Sequence, residues 1–231
     1  MTDFPQTVVL LPVYRPGARL VGLVESLPDA ARVVVVDDGS EAKAEPFLEA
    51  ALALGAEVLR HGVNRGKGVA LKTGFRHAAA DHPGLDVICA DADGQHRAAD
   101  IGRIAARTGG GRIVLGVRRF HRMPPRSRIG NTITRVMFRA ATGREVSDTQ
   151  TGLRAYPADL LERLCSIPGE RFEYEMNVLL DAVASNRPIE EVEIPATYVD
   201  GNAGSHFDGL SDSMRIYRPL VRYALLGGIR P

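Results

Sequence analysis

The run Val87-Ile88-Cys89-Ala90 passes directly into Asp91-Ala92-Asp93-Gly94-Gln95-His96. A short apolar run cut off by a polar, Gly-containing turn reads as a buried strand that ends where the carboxylates begin. Side chains two apart on an extended chain point the same way, so Asp91 and Asp93 leave the strand tip together. Two carboxylates with the amide of Gln95 beside them suit a hard divalent cation, Mg²⁺ or Mn²⁺, and the diphosphate it carries. His96 lacks a second soft ligand nearby and is read as a loop residue behind this set. The bland alternative is a turn that caps the next helix.

The rest of the chain repeats the pattern of short strand, turn and helix. Strands are expected at Thr7–Leu11, Arg32–Val36, Ala56–Leu59, Leu85–Ala90 and Arg112–Gly116. Helices are expected between them at Arg19–Leu27, Glu41–Leu54, Lys67–Ala80 and Ala98–Arg107. That alternation predicts an α/β domain with a largely parallel sheet. The later half is less regular. Arg118–Arg128 reads as a basic, Pro-containing loop, and Ile129–Ala141 as a helix with Ile129, Ile133, Val136 and Met137 on one face. A strand at Gly152–Tyr156, a helix at Phe172–Ala184, a strand at Glu191–Tyr198 and a last helix from about Leu210 complete the reading. No linker divides the chain, so one domain over 1–231 is expected: a nucleotide half (6–117), an acceptor half (118–219) and an apolar tail (220–231).

Asp37-Asp38-Gly39-Ser40 follows a second apolar strand, where carboxylates can accept hydrogen bonds from a base or ribose, or simply cap the next helix. In Asn64-Arg65-Gly66-Lys67-Gly68 the glycines permit close backbone approach before a helix, and Lys67 adds charge for an anion. Neither the phosphate-loop nor the three-glycine dinucleotide pattern is present.

Formal net charge is only +1, but residues 101–144 hold eleven arginines and no Asp or Glu. Such a block attracts phosphate, an anionic membrane or nucleic acid, or is a solvated face. Only Phe120 and Phe138 interleave with it as stacking aromatics, so no nucleic-acid partner is expected. Cys89 and Cys165 lie in apolar surroundings and are expected as free thiols. No signal-like segment or apolar run of about 18 residues is present, so the expected location is cytoplasmic, with peripheral membrane association open.

The ordered set Pro12-Val13-Tyr14, Asp37-Asp38-Gly39-Ser40, Asn64-Arg65-Gly66-Lys67-Gly68, Asp91-Ala92-Asp93-Gly94-Gln95, Asp148-Thr149-Gln150-Thr151-Gly152-Leu153-Arg154 and Ser205-His206-Phe207 resembles the inverting family 2 glycosyltransferases. Within them it is most similar to the dolichyl-phosphate mannosyltransferases and the bacterial polyprenyl-phosphate glycosyltransferases. The resemblance implies the GT-A fold, a Rossmann-like three-layer sandwich with a mixed, largely parallel sheet. It implies a GDP- or UDP-linked sugar held by Pro12, Tyr14, Asp37, Asp38, Asn64, Lys67, Asp91 and Asp93, with Asp91, Asp93 and Gln95 on Mg²⁺ or Mn²⁺. Two departures stand out. Arg15-Pro16 replaces a frequent Asn-Glu, and Ser205-His206 replaces a frequent Ser-Lys, exchanging a fixed charge for a titrating one.

On the acceptor side, Arg118, Arg119, Arg128, Gln150, Thr151, Glu173, Ser205 and His206 are the expected contacts. Glu175 competes with Glu173 for a sugar-facing role, and both equally suit a helix's first turn. Asp93, Asp148 and Arg154 are the expected catalytic set. Arg154 would pair with a phosphate, or with a carboxylate of the chain. A phosphate acceptor is already ionised and needs no base, whereas an alcohol would call on Asp148. The expected reaction is inverting hexose transfer to a polyprenyl phosphate. A membrane surface or integral membrane partner, and oligomers, are left open. The alternatives are a soluble sugar, polyol or glycan acceptor, a nucleotidyltransferase and a basic nucleic-acid-binding module.

Overall fold

The computed structural model describes residues 7–28, 31–118, 125–195 and 211–225. The elements run β1 (Thr7–Val13), α1 (Ala18–Ser26), β2 (Arg32–Asp37), α2 (Glu45–Ala53), β3 (Glu57–Arg60), α3 (Lys67–Asp81), β4 (Asp86–Cys89), α4 (Ala98–Ala105) and β5 (Ile113–Arg118). Then come α5 (Pro125–Thr142), β6 (Arg154–Tyr156), α6 (Leu161–Ser166), α7 (Glu173–Ala184), β7 (Ile189–Ile194) and α8 (Ser211–Leu225). They build a seven-stranded sheet in the order β3-β2-β1-β4-β6-β5-β7. All pairs are parallel except those of β6, which runs antiparallel to both β4 and β5. The α/β expectation, with a mixed, mostly parallel sheet, holds.

Period-two alternation on β1 divides the interior. Val9, Leu11 and Val13 face α1, α2 and α4 through Leu20, Leu23, Leu48, Ile101 and Ile104. Val8 and Leu10 face the other way, toward Ala70, Leu71 and Phe75 of α3 and the residues of α6 and α7. Burial on both faces is why β1 and β2 read as unbroken apolar runs rather than alternating ones. Gly74 marks the closest approach of α3: an added Cβ would lie 2.2 Å from Leu10 Cδ1.

Several expectations shift. The basic segment from Arg118 is not all loop: Arg118 closes β5, and Pro125–Arg128 form the first turn of α5. The early part of the expected Glu41–Leu54 helix is a separate 3₁₀ turn at Ala42–Ala44. α6 was not foreseen, because six residues are too few to show a helical period. Of the expected α5 face only Met137 turns inward, packing on the core with Phe138, while Ile129, Ile133 and Val136 are exposed. In α8, Leu220 and Tyr223 enter the core while Val221 and Leu225 stay exposed, so the tail is partly interior. Both cysteines are free thiols. Among the described residues no helix is long and apolar enough to cross a membrane.

Candidate active site

Register brings the polar strand ends to one edge. Val13 pairs with Asp37, and Leu10 with Cys89, two residues before Asp91. Asp37 is buried there, its Oδ1 accepting the Ser40 amide at 3.1 Å. Gly39 has a left-handed φ of +74° and sits where a Cβ would strike the Val63 carbonyl carbon at 2.2 Å, so only glycine lets this turn close on residues 63–64. Pro12 and Tyr14 are half-buried at the end of β1, and Asn64 is exposed on the facing loop. In place of the Asn-Glu pair, Arg15 stacks on Tyr14 with its guanidinium 5.1 Å from the ring centre and forms an ion pair with Glu41.

Asp38 is occupied by the chain itself. Its Oδ1 accepts the Arg65 amide at 2.9 Å and faces His61 Nδ1 at 2.8 Å, and its Oδ2 accepts the Gly66 amide at 2.8 Å. It therefore shapes the loop before α3. Gly66 (φ +100°) completes that loop against the Glu170 carbonyl, which would be 2.4 Å from an added Cβ.

The loop delivers Lys67 to the strand tips. Its Nζ lies 2.8 Å from Asp91 Oδ1 and 3.0 Å from Glu175 Oε2. Burial alone would raise the Asp91 carboxyl, but Lys67 outweighs it, with smaller attraction from Arg118, and holds it down at about 2. The Lys67 ammonium is in turn held above its usual range, the two carboxylates outweighing burial. The amide of Asp91 donates to His96 Nδ1 at 2.9 Å, and burial lowers the His96 pKa, so the ring is a neutral prop. Gly152 lies so close that an added Cβ would be 2.1 Å from Asp91 Oδ2.

Asp93 is the contrast. Its two oxygens receive only the Gln95 amide (3.0 Å) and Gln95 Nε2 (2.6 Å), and among the described residues no cationic side chain pairs with it. Arg19 instead donates to the Asp93 carbonyl at 3.0 Å. A carboxylate supported by neutral donors, two residues on from Asp91 and with an adjacent amide that can turn its Oε1 inward, suits a hard cation. Asp91, Asp93 and Gln95 are the residues that would hold it.

The acceptor set is divided. Asp148 is fully buried and gripped by Arg118, Nε to Oδ2 at 2.7 Å and Nη2 to Oδ1 at 3.1 Å. Arg154, 1% exposed, donates to the carbonyls of Thr151, Glu175 and Thr149 at 2.8, 2.8 and 3.1 Å. Its fork braces the 149–154 segment against α7 and turns no face outward to a phosphate. Thr151 is buried and donates to the Gly116 carbonyl at 2.6 Å. Glu173 Oε1 accepts the amides of Glu170 and Arg171, the capping option, while Glu175 faces Lys67. Gln150 is half-buried with its amide on Asp148, and Arg128 is exposed on α5. Arg119, Ser205 and His206 lie outside the described residues. Of the arginine block, Arg103, Arg107, Arg112 and Arg118 are ion-paired with Asp100, Glu190, Glu190 and Asp148, so part of its charge is internally balanced.

The sequence offered no sign that Arg19 or His61 belongs here, since their partners lie 74 and 23 residues away. A choice between Glu173 and Glu175 was open to helix phase, because residues two apart on a helix face opposite ways.

The sequence model described as glycosyl transferase family 2 matches residues 8–165, from β1 through α6. The chain belongs to glycosyl transferase family 2. It is thus a glycosyltransferase, and the segment matched contains every strand tip described above except β7. An uncharacterized protein of Methanocaldococcus jannaschii is 32% identical over 73% of this chain and 71% of its own length. The undecaprenyl-phosphate 4-deoxy-4-formamido-L-arabinose transferase of Edwardsiella ictaluri is 28% identical over 96% of this chain and 69% of its own. Among solved structures, glucosyl-3-phosphoglycerate synthase from Mycobacterium tuberculosis superposes with a TM-score of 0.72 at 20% identity, over 96% of this chain and 81% of that one. A mannosyltransferase from Pyrobaculum calidifontis, in complex with GDP-Man and Mn²⁺, gives 0.62 at 20%, over 98% and 65%. These likenesses bear out the GT-A fold.

Proposed function

We propose that this glycosyltransferase moves a hexose, with inversion, from a GDP- or UDP-linked sugar to a polyprenyl phosphate, using Mg²⁺ or Mn²⁺ at Asp91, Asp93 and Gln95. The observation that carries the reading is Asp93: a carboxylate in the turn after β4, held among the described residues only by neutral donors, two residues on from Asp91 and at the same sheet edge as Asp37. When bound, the cation offsets the negative charge that gathers on the departing diphosphate. Asp37 accepts hydrogen bonds from the base or ribose. Lys67, at the first turn of α3, keeps Asp91 ionised and adds positive charge beside the diphosphate. The Gly152 backbone leaves Asp91 the room to turn toward the cation.

The engagement of the other carboxylates favours a phosphate acceptor. An alcohol needs a base to take its proton, yet Asp148 is fully buried and bound through both oxygens to Arg118, and Glu175 is committed to Lys67. A phosphate arrives ionised and needs none. Arg128, on the exposed apolar face of α5 with Ile129, Ile133 and Val136, fits an anionic headgroup carried on a lipid. The Edwardsiella ictaluri relative is named for an undecaprenyl-phosphate acceptor, and the Pyrobaculum calidifontis neighbour for GDP-Man with Mn²⁺. Asp148 and Arg154 serve as positioning residues in this reading, Arg154 by fixing the segment that carries Gly152.

The test is a screen of nucleotide sugars with Mn²⁺ or Mg²⁺, with and without a short polyprenyl phosphate. Transfer that requires the lipid phosphate and disappears in Asp93→Ala at saturating metal is the expected result. Transfer only to soluble hydroxyl acceptors overturns the acceptor assignment. Full turnover in Asp93→Ala overturns the metal assignment.

A further inference from the structure

A second group of ligand-type side chains lies at the other end of α3. Glu57 is the first residue of β3, the edge strand of the sheet, and His77 and His82 come from the last turns of α3 and its cap. Glu57 Oε2 is 2.5 Å from His77 Nε2, and Glu57 Oε1 is 2.7 Å from His82 Nε2. One ligand atom from each residue can be chosen so that all three fall within 4.8 Å of one another. Asp81, one turn on from His77, lies 3.0 Å from His77 Nδ1. Lys67 and His77 are ten residues apart, about 15 Å of helix, so this group is separate from Asp91 and Asp93.

We propose that Glu57, His77 and His82 form a binding site for a zinc-class divalent cation, with Asp81 orienting His77, and that the cation clamps edge strand β3 to the C-terminal end of α3. Two imidazoles and one carboxylate are a borderline donor set, which Zn²⁺ accepts and the oxygen-seeking Mg²⁺ does not. A carboxylate on the far nitrogen of a ligating imidazole fixes its tautomer and strengthens it as a donor. Asp81 stands where that partner is needed, leaving His77 Nε2 to the metal. A cation with ligands at about 2.0–2.2 Å would take the place of these hydrogen bonds, with one nitrogen from each histidine and one Glu57 oxygen brought to a common centre by side-chain rotation. The side chains of His77, His82 and Glu57 are 19%, 15% and 39% exposed, so ions can reach them and water can fill the remaining positions.

The site makes no demand on the transfer reaction, and its test needs no donor or acceptor sugar. Metal-free protein is titrated with Zn²⁺ in competition with a chromophoric chelator, and with Co²⁺ as a spectroscopic stand-in. One Zn²⁺ per chain should bind, with the visible absorption of a four-coordinate Co²⁺ complex, and Asp93→Ala should bind it equally well. Asp81→Asn should weaken it by roughly 10–100-fold, and His77→Gln, His82→Gln and Glu57→Gln by at least as much. Zn²⁺ at a hundredfold excess over the wild-type Kd should raise the melting temperature by roughly 5–10 °C, and the same concentration should give those variants about half that gain or less. Should His77→Gln fold poorly in chelator, Asp81→Asn carries the comparison. Zn²⁺ affinity unchanged in His77→Gln and His82→Gln, loss of the site in Asp93→Ala, or no binding by the wild-type chain overturns the proposal and leaves a hydrogen-bonded surface cluster.

Discussion

Replacing Lys67 with Met tests how the strand tips are held together. Lys67 Nζ is within 3.0 Å of a carboxylate oxygen of both Asp91 and Glu175, and the three side chains are 16%, 30% and 12% exposed. Removing the ammonium leaves two carboxylates facing each other at close range with little water to separate them. The depression of the Asp91 carboxyl from 3.8 to about 2 corresponds to roughly 2–3 kcal/mol at roughly 1.36 kcal/mol per unit. Breaking a buried pair typically costs about 3–5 kcal/mol, and hydration of Asp91 moves this case toward the lower end. Lys67→Met should therefore lose about 2–3 kcal/mol in urea unfolding, or roughly 5–10 °C in melting temperature. The sign of the pH dependence follows from Asp91. Its folded pKa lies below its unfolded one, so its contribution is present above about pH 4 and is lost as pH falls through about 2. The deficit of Lys67→Met should stay flat near neutrality and shrink in acid. Lys67→Met with Glu175→Gln should recover part of the loss, because one of the stranded charges is gone. A deficit under about 0.5 kcal/mol, or a double variant no more stable than Lys67→Met, would refute the reasoning.

Gly152→Ala should cost more activity than stability. Its Cβ would push aside the Asp91 carboxylate, a side-chain end that can move and stay near Lys67, so melting should fall by less than in Lys67→Met while transfer falls on the order of 100-fold. Arg118→Met should do the reverse of a surface change: it strands the fully buried Asp148 carboxylate and should cost about 3–5 kcal/mol in equilibrium unfolding, part of it restored by adding Asp148→Asn.

How far the site could be read in advance depended on the range of the interaction. The strand-tip acids Asp37, Asp91 and Asp93 were legible because an apolar run and the polar turn after it are neighbours in sequence. The roles of Asp38, Asp148 and Arg154 were not. Each looked like a ligand-facing group, and each is consumed by the fold: Asp38 by the Arg65 and Gly66 amides, Asp148 by Arg118, and Arg154 by three carbonyls. A polar side chain carries the same letter whether its partner is substrate or backbone. The sequence placed Ile129, Ile133 and Val136 on one face of α5 but could not say that the face is exposed, since helical period identifies an apolar face and not what lies against it.

Backbone propensity and hydrophobic period are local, and they were enough to place most of the strands and helices and to mark β1 and β2 as buried on both faces. The sequence by itself also determined where carboxylates leave the sheet. The tertiary structure alone decided that β6 enters antiparallel between β4 and β5, bringing Gly152 against Asp91. It alone set Lys67 between Asp91 and Glu175, and joined Glu57 to two histidines of α3. Those partners are separated by 20 to 108 positions in the chain, and only the closing of the sheet and the packing of α3 and α7 upon it bring their charges within reach of one another.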